Sequence, residues 1–166
     1  MDDVQPQLEQ LIELDFPYDG EKYDPEEFVI QGFCQQETLN GMSVGELLEN
    51  QERYQKFGRV PESADFQKEF RTAAQEEFAE KFGDERAKEL LDGKAALHGL
   101  DQVAGGRADD VYSLGDRRVN SALGGLWSAG RAAELYEGLQ EAAKGLTEEQ
   151  LWEFRPNVRL DMYPKE

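Results

Sequence analysis

The 166-residue chain has one cysteine, Cys34, and one histidine, His98. A single thiol excludes an intramolecular disulfide framework and a thiolate zinc cluster. No apolar run approaches the roughly 18–20 residues that a membrane span needs, so no membrane partner is expected. Met1-Asp2-Asp3-Val4 lacks the basic and apolar regions of a secretory signal peptide. Positive charge is scarce as well: 18 Lys and Arg stand against 36 Asp and Glu, a formal net charge of -18. On the whole-chain scale this excludes the basic footprint of an ordinary nucleic-acid binder. A G-x-x-x-x-G-K-[ST] phosphate loop and a G-x-S-x-G nucleophile elbow are also missing.

Apolar material is plentiful. Nine Phe, six Tyr and two Trp within a 39% hydrophobic composition are too rich for a disordered chain. The length suits one domain with a real core. The acidity is uneven: residues 1–27 carry ten acids against one base, whereas residues 98–131 carry four against four. The chain therefore divides into an acidic N-terminal segment, 1–27, and a domain over 28–166. A solvated face explains the acidic segment most simply, and a patch that docks a basic partner is the sharper reading.

Periodicity predicts a mainly α, single compact helical domain with a short β element near the C-terminus, α+β at most. Leu8, Leu11 and Ile12 have helical spacing. Asp24-Pro25-Glu26-Glu27 starts a helix that runs to about Leu39, with Phe28 and Phe33 facing inward. Ser43 to Glu46 is a second capping box, and Gly58 stops the helix that follows. Phe66, Phe70, Ala73, Ala74, Phe78 and Phe82 form an i, i+4, i+7, i+8 stripe read as core. A further helix restarts at Gly83-Asp84 towards Leu97. Asp116 caps another through Val119, Leu123 and Trp127, with a break near Gly130. Thr147 with Gln150 caps the last helix, and Val158, Leu160 and Met162 alternate as a strand. Cys34 reads as a small core residue.

Candidate chemistry gathers after residue 97. His98 and Asp101 stand at i and i+3, a spacing that puts imidazole and carboxylate on one side of a helix or turn. The pair can act as a general base with its orienting carboxylate, or either group can ligate a divalent metal. Gly105 and Gly106 would let a backbone approach a ligand closely. The helix start at Gly115-Asp116-Arg117-Arg118 offers N–H groups and guanidinium groups to phosphate, with an ordinary capped helix as the bland alternative.

Two blocks carry a family resemblance. One runs from Gln35-Gln36-Glu37-Thr38-Leu39-Asn40-Gly41 through Leu48-Glu49-Asn50-Gln51-Glu52-Arg53-Tyr54 to Gly58-Arg59. The other comprises Ala95-Ala96-Leu97-His98-Gly99-Leu100-Asp101-Gln102-Val103-Ala104-Gly105-Gly106, then Gly115 to Ser121, and Trp127. Together they resemble the polymorphic toxin type 15 family, secreted bacterial DNases marked by a His-x-x-Asp motif. Where that family commonly has Asn-Pro between His and Asp, this chain has Gly99-Leu100.

The resemblance implies an antibacterial effector, often delivered by a type VI secretion machine as part of a longer protein or on a carrier. Such an effector acts in the cytoplasm of target bacteria and is neutralised by a cognate immunity protein. It implies DNA as substrate and Mg²⁺ or another divalent cation as cofactor. His98 and Asp101 become catalytic candidates, with Asp116 as a further metal ligand. Arg117, Arg118 and Asn120 become substrate-binding candidates. The competing class is an acidic binding protein without catalysis, such as a nucleic-acid mimic or an inhibitor of a basic partner, and the charge motivates it.

Overall fold

A computed structural model describes residues 5–166; Asp2, Asp3 and the rest of residues 1–4 of the acidic segment lie outside the described residues. Helix starts follow the capping signals. Asp24 accepts from the Glu26 amide at 3.2 Å and Pro25 opens α1 (Pro25–Asn40). Ser43 accepts from the Glu46 amide at 3.1 Å and opens α2 (Val44–Phe57), which stops at Gly58 with φ 72°. Next come α3 (Ser63–Phe82) and α4 (Asp84–Leu91). Asp116 caps α5 (Arg117–Leu126) through the Val119 amide at 2.9 Å. A kinked π turn, Trp127–Arg131, leads to α6 (Ala132–Ala143), and the kink falls at Gly130, φ 106°. Thr147 and Gln150 make the capping box of α7 (Glu148–Glu153). Each such cap contributes about 1 kcal/mol. The architecture is a predominantly helical α+β fold, as the periodicity predicts.

The strands go beyond that expectation. Residues 7–14 are not helical: β1 spans Gln7–Tyr18 and pairs in parallel with β4 (Arg155–Pro164), Leu14 opposite Leu160 and Phe16 opposite Met162. The deciding signal is the period of two in Ile12, Leu14, Phe16 and Tyr18, which sends these side chains to one face of a strand. The helix that restarts at Gly83 ends at Leu91 rather than near Leu97, because Gly93 takes φ 70° and turns the chain. Residues 94–98 then form β2 (Lys94–His98), antiparallel to β3 (Val111–Asp116), with Ala96 opposite Leu114.

The core lies between the β1–β4 sheet and helices α1, α2, α5 and α6. Phe16 and Trp127 are fully buried and meet edge to face, centroids 4.8 Å apart. A buried indole N–H needs an acceptor, and Trp127 Nε1 donates to Gln35 Oε1 at 2.6 Å. α1 also completes the outer edge of β4. Asn40 donates to the Val158 carbonyl at 2.8 Å and accepts from its amide at 2.9 Å, while Gln36 Oε1 accepts from the Leu160 amide at 2.9 Å. Side-chain amides thus stand in for a third strand and leave those backbone groups paired.

Three core expectations are corrected. Phe33 is 53% exposed, because the buried row of α1 runs through Phe28, Gln31, Gln35 and Leu39. Cys34 is half-buried at the edge of that row, beside Tyr112, whose phenol pKa is pushed up by burial and then by the Cys34 hydrogen bond. The Phe stripe of α3 is not core: Phe66 is 36% and Phe82 58% exposed, and Phe70 and Phe78 are half-buried. α3 lies against α4 and the β2–β3 hairpin, outside the main cluster, so its apolar face has only thin elements to cover it.

A candidate active site on the His98–Asp101 loop

β2 delivers His98 to the end of the hairpin, where the register with β3 shifts between Leu97 and His98. His98 Nε2 lies 2.8 Å from the Ala108 carbonyl oxygen. A carbonyl can only accept, so Nε2 carries the proton and the neutral ring presents Nδ1 as its free lone pair. The pKa of His98 lies below the ordinary value of 6.5, chiefly through burial. The Ala108 bond opposes that shift, the Arg59 charge adds to it, and the Asp101 and Asp110 charges oppose it. The ring is therefore neutral near pH 7 and fit to take a proton or hold a metal.

After His98 the chain folds tightly on itself. The Gly99 amide donates to the Asp110 carbonyl at 2.9 Å. Asp101 caps the short 3-10 turn Gln102–Ala104, its Oδ1 accepting from the Val103 amide at 3.1 Å. Its Oδ2 points at α5: a Cβ on Gly124 would stand 3.1 Å from it. Gly105 and Gly106 serve the loop itself instead of a ligand. A Cβ on Gly106 would collide with the Leu100 carbonyl, and one on Gly105, φ 104°, would press on the Leu47 carbonyl. Glycine is required here for the loop to close against α2.

The remaining expected residues stand elsewhere. Lys94 and Asp116 form the other end of the hairpin. Four residue steps of about 3.3 Å put Asp116 roughly 13 Å along the strand from the His98 end. There Asp116 is tied to α1: its amide donates to Glu27 Oε1 at 3.0 Å, and its carbonyl accepts from Gln31 Nε2 at 3.1 Å. Arg117 donates to the Lys94 carbonyl at 3.3 Å, and the Arg118 guanidinium lies 5.8 Å from the centre of the Tyr23 ring. Asn120 is half-buried on α5. The hairpin thus brings His98 and Asp101 into one loop and keeps Asp116, Arg117 and Arg118 at its far end.

Three residues near His98 were not singled out from sequence. Asp110 and Thr38 both face Gly99, Arg59 reaches Ser63 Oγ at 2.8 Å and Gln67 Oε1 at 2.5 Å, and Ala108 supplies the carbonyl. Arg59 ends the first family block and Asp110 belongs to the Asp109-Asp110 doublet before β3, whereas nothing along the chain marks Ala108. Among the described residues no three His, Cys, Asp or Glu side chains converge on one point. Mg²⁺ is ordinarily held by one or two carboxylates and its substrate's phosphate oxygens. Asp101 and Asp110, whose charges act on His98, are of the residue type that such an ion takes.

Among the described residues no helix is long and apolar enough to cross a membrane. No curated protein matches the chain. A family model described as Novel toxin 15 matches residues 22–161, a stretch that holds α1 to α7, the hairpin, the His98–Asp101 loop and most of β4. With well over half its length covered by that model, the chain belongs to the Novel toxin 15 family and is a toxin domain.

Proposed function

We propose that this toxin domain hydrolyses DNA phosphodiester bonds at His98, with a divalent cation such as Mg²⁺ held by Asp101 and Asp110. The observation that carries the reading is the tautomer of His98: the Ala108 carbonyl fixes the proton on Nε2 and leaves Nδ1 as the base. Nδ1 takes a proton from the water that attacks phosphorus, the bond from phosphorus to the leaving sugar oxygen breaks, and that oxygen takes a proton from solvent. The ring keeps its orientation because the Nε2 bond is unchanged. Asp101 and Asp110 stabilise the imidazolium that forms, and Arg59 meets the charge of the phosphoryl group. Asp101 and Asp110 would hold the divalent cation, which would supply polarisation of the phosphoryl group and a lowered pKa for the water. Asp116 is left out of the donor set. Arg117, Arg118 and Asn120 contact the polymer further along the strand.

In the same reading, the toxin acts on the DNA of a target bacterium after delivery by a carrier. Glu9, Glu13 and Asp15, exposed on β1, supply an acidic face for a basic region of the immunity protein. Charge reversal there weakens immunity binding and leaves cleavage unchanged.

The test is plasmid cleavage with Mg²⁺, with EDTA, and with His98→Ala. Cleavage should need the cation and fall about 10²–10⁴-fold in the variant, the range of a lost general base. Full cleavage by a folded His98→Ala protein overturns the assignment. Metal-dependent cutting by the unaltered chain would sink the alternative of an acidic binder without catalysis.

A further inference from the structure

Behind the loop lies a cavity of about 340 Å³ that the catalytic assignment leaves unused. Asn50, Arg53 and Tyr54 of α2 form one wall, and Val60, Gln102 and Ala108 form the other. The ion pair of Arg107 with Glu46, at 2.5 and 2.7 Å, stands at its rim. Gln102 is unusual in one respect. Gln102 is only 7% exposed, its Oε1 accepts from the Val60 amide at 3.0 Å, and its buried Nε2 has no hydrogen-bond partner. A buried amide donor without an acceptor is costly and calls for an explanation.

We propose that this cavity takes a nucleobase, whose carbonyl oxygen or ring nitrogen accepts a hydrogen bond from Gln102 Nε2 after a side-chain shift brings that sealed amide to the cavity surface. Every base presents such acceptors along its edges. The half-buried Tyr54 ring offers a stacking face, which binds all four bases alike. The exposed Arg53 guanidinium lies where it can pair with the attached phosphate. Asn50 donates to the Gly105 carbonyl at 2.9 Å, which ties this wall of α2 to the His98–Asp101 loop. Two connections place the base next to the chemistry: Gln102 follows Asp101 directly, and Ala108 supplies the carbonyl that holds His98. That the base belongs to a bound DNA strand rests on the nuclease reading; that the cavity binds a base does not.

The test titrates the four deoxynucleoside monophosphates and a short single-stranded oligonucleotide into the protein, followed by calorimetry. The key variant is Gln102→Glu, which keeps an acceptor for the Val60 amide and replaces the orphaned donor with a repelling carboxylate. Saturable binding is expected in the unaltered chain, about tenfold weaker in Gln102→Glu, where one bond has been exchanged for a repulsion. Tyr54→Leu and Arg53→Gln change only α2 side chains at the cavity wall and should each weaken binding several-fold, so they carry the test if Gln102→Glu does not fold. A raised KM for DNA with kcat retained in these variants assigns the base to the strand; unchanged KM assigns it to a free nucleotide. Absence of saturable binding, or equal affinity in folded Gln102→Glu, overturns the proposal. If His98→Ala cuts DNA normally while nucleotide binding still depends on Gln102, the nuclease assignment fails and the base cavity stands.

Discussion

The described residues hold two two-stranded sheets, and each has an edge satisfied by side chains of a helix. α1 serves β4 through Asn40 and Gln36. α3 serves β2 through Gln67, which donates to the Ala96 carbonyl at 2.9 Å, and Arg71, which donates to the Lys94 carbonyl at 2.6 Å. The edge chemistry is shared, but the packing differs. Leu14, Phe16, Val158 and Leu160 of the first sheet are buried in the main cluster. The second sheet contributes none of its own residues to that cluster, and the aromatic rings of its helix stay partly in water. One sheet organises the fold; the other holds up the loop that carries His98. An amphipathic stripe states that a helix has an apolar face, and whether anything thick enough covers that face is decided elsewhere in the chain.

The widest separation should appear in aromatic truncations. Trp127→Ala loses a fully buried indole and strands Gln35, for about 3–5 kcal/mol of stability in urea unfolding. Phe82→Ala, on the exposed stripe of α3, should stay within about 0.5 kcal/mol. Equal losses in the two variants would show that α3 is packed in solution as tightly as the core. A second comparison deletes one edge amide from each sheet. Asn40→Ala leaves both the amide and the carbonyl of Val158 unpaired and should cost about 1–3 kcal/mol. Gln67→Ala strips a single carbonyl, that of Ala96, together with the Arg59 contact, and should cost less, about 1 kcal/mol.

The smallest effect is a pH dependence that resides in the thin sheet alone. His98 has a folded pKa below its ordinary value. Above about pH 6.5 neither the folded nor the unfolded chain protonates it, so its contribution is fully present there. As the pH falls through that value, the unfolded chain takes up a proton that the folded ring resists, and stability is lost. Urea midpoints at about pH 7 and about pH 5, in EDTA, should therefore fall further in the unaltered chain than in His98→Gln. An identical fall in both would remove His98 as the cause.

Much of this was legible along the chain. Asp24, Ser43, Asp116 and Thr147 each announce a helix start by a side-chain oxygen placed to meet the first free amides, a local requirement that needs no knowledge of the fold. The break at Gly130 and the alternation of Val158, Leu160 and Met162 are local in the same sense. β1 carries a helical signal because three residues at helical spacing, Leu8, Leu11 and Ile12, overlap a longer run with a period of two. The hairpin was hidden because Lys94–His98 is short and lacks a polar alternation. In the site, the His98–Asp101 spacing was visible, but the group that holds the imidazole is a backbone carbonyl ten residues away, and no side chain advertises a carbonyl. Asp110 and Arg59 are near His98 only because the hairpin and the start of α3 bring them there. Arg117 and Arg118 are close to the motif in sequence and a strand's length from it in space.

The parallel pairing of β1 with β4 also has a consequence for the order in which the toxin becomes a folded object. Gln7 is opposite Arg155, and the sheet buries Phe16 against Trp127 only once both strands are in place. During synthesis β1 has no partner until residues 155–164 have left the ribosome, and closing so long a loop is entropically slow. The helices can form earlier, but the floor under them arrives last. The core that α1, α2, α5 and α6 share is thus closed only after residues 155–164 have been made, long after the helices that line it.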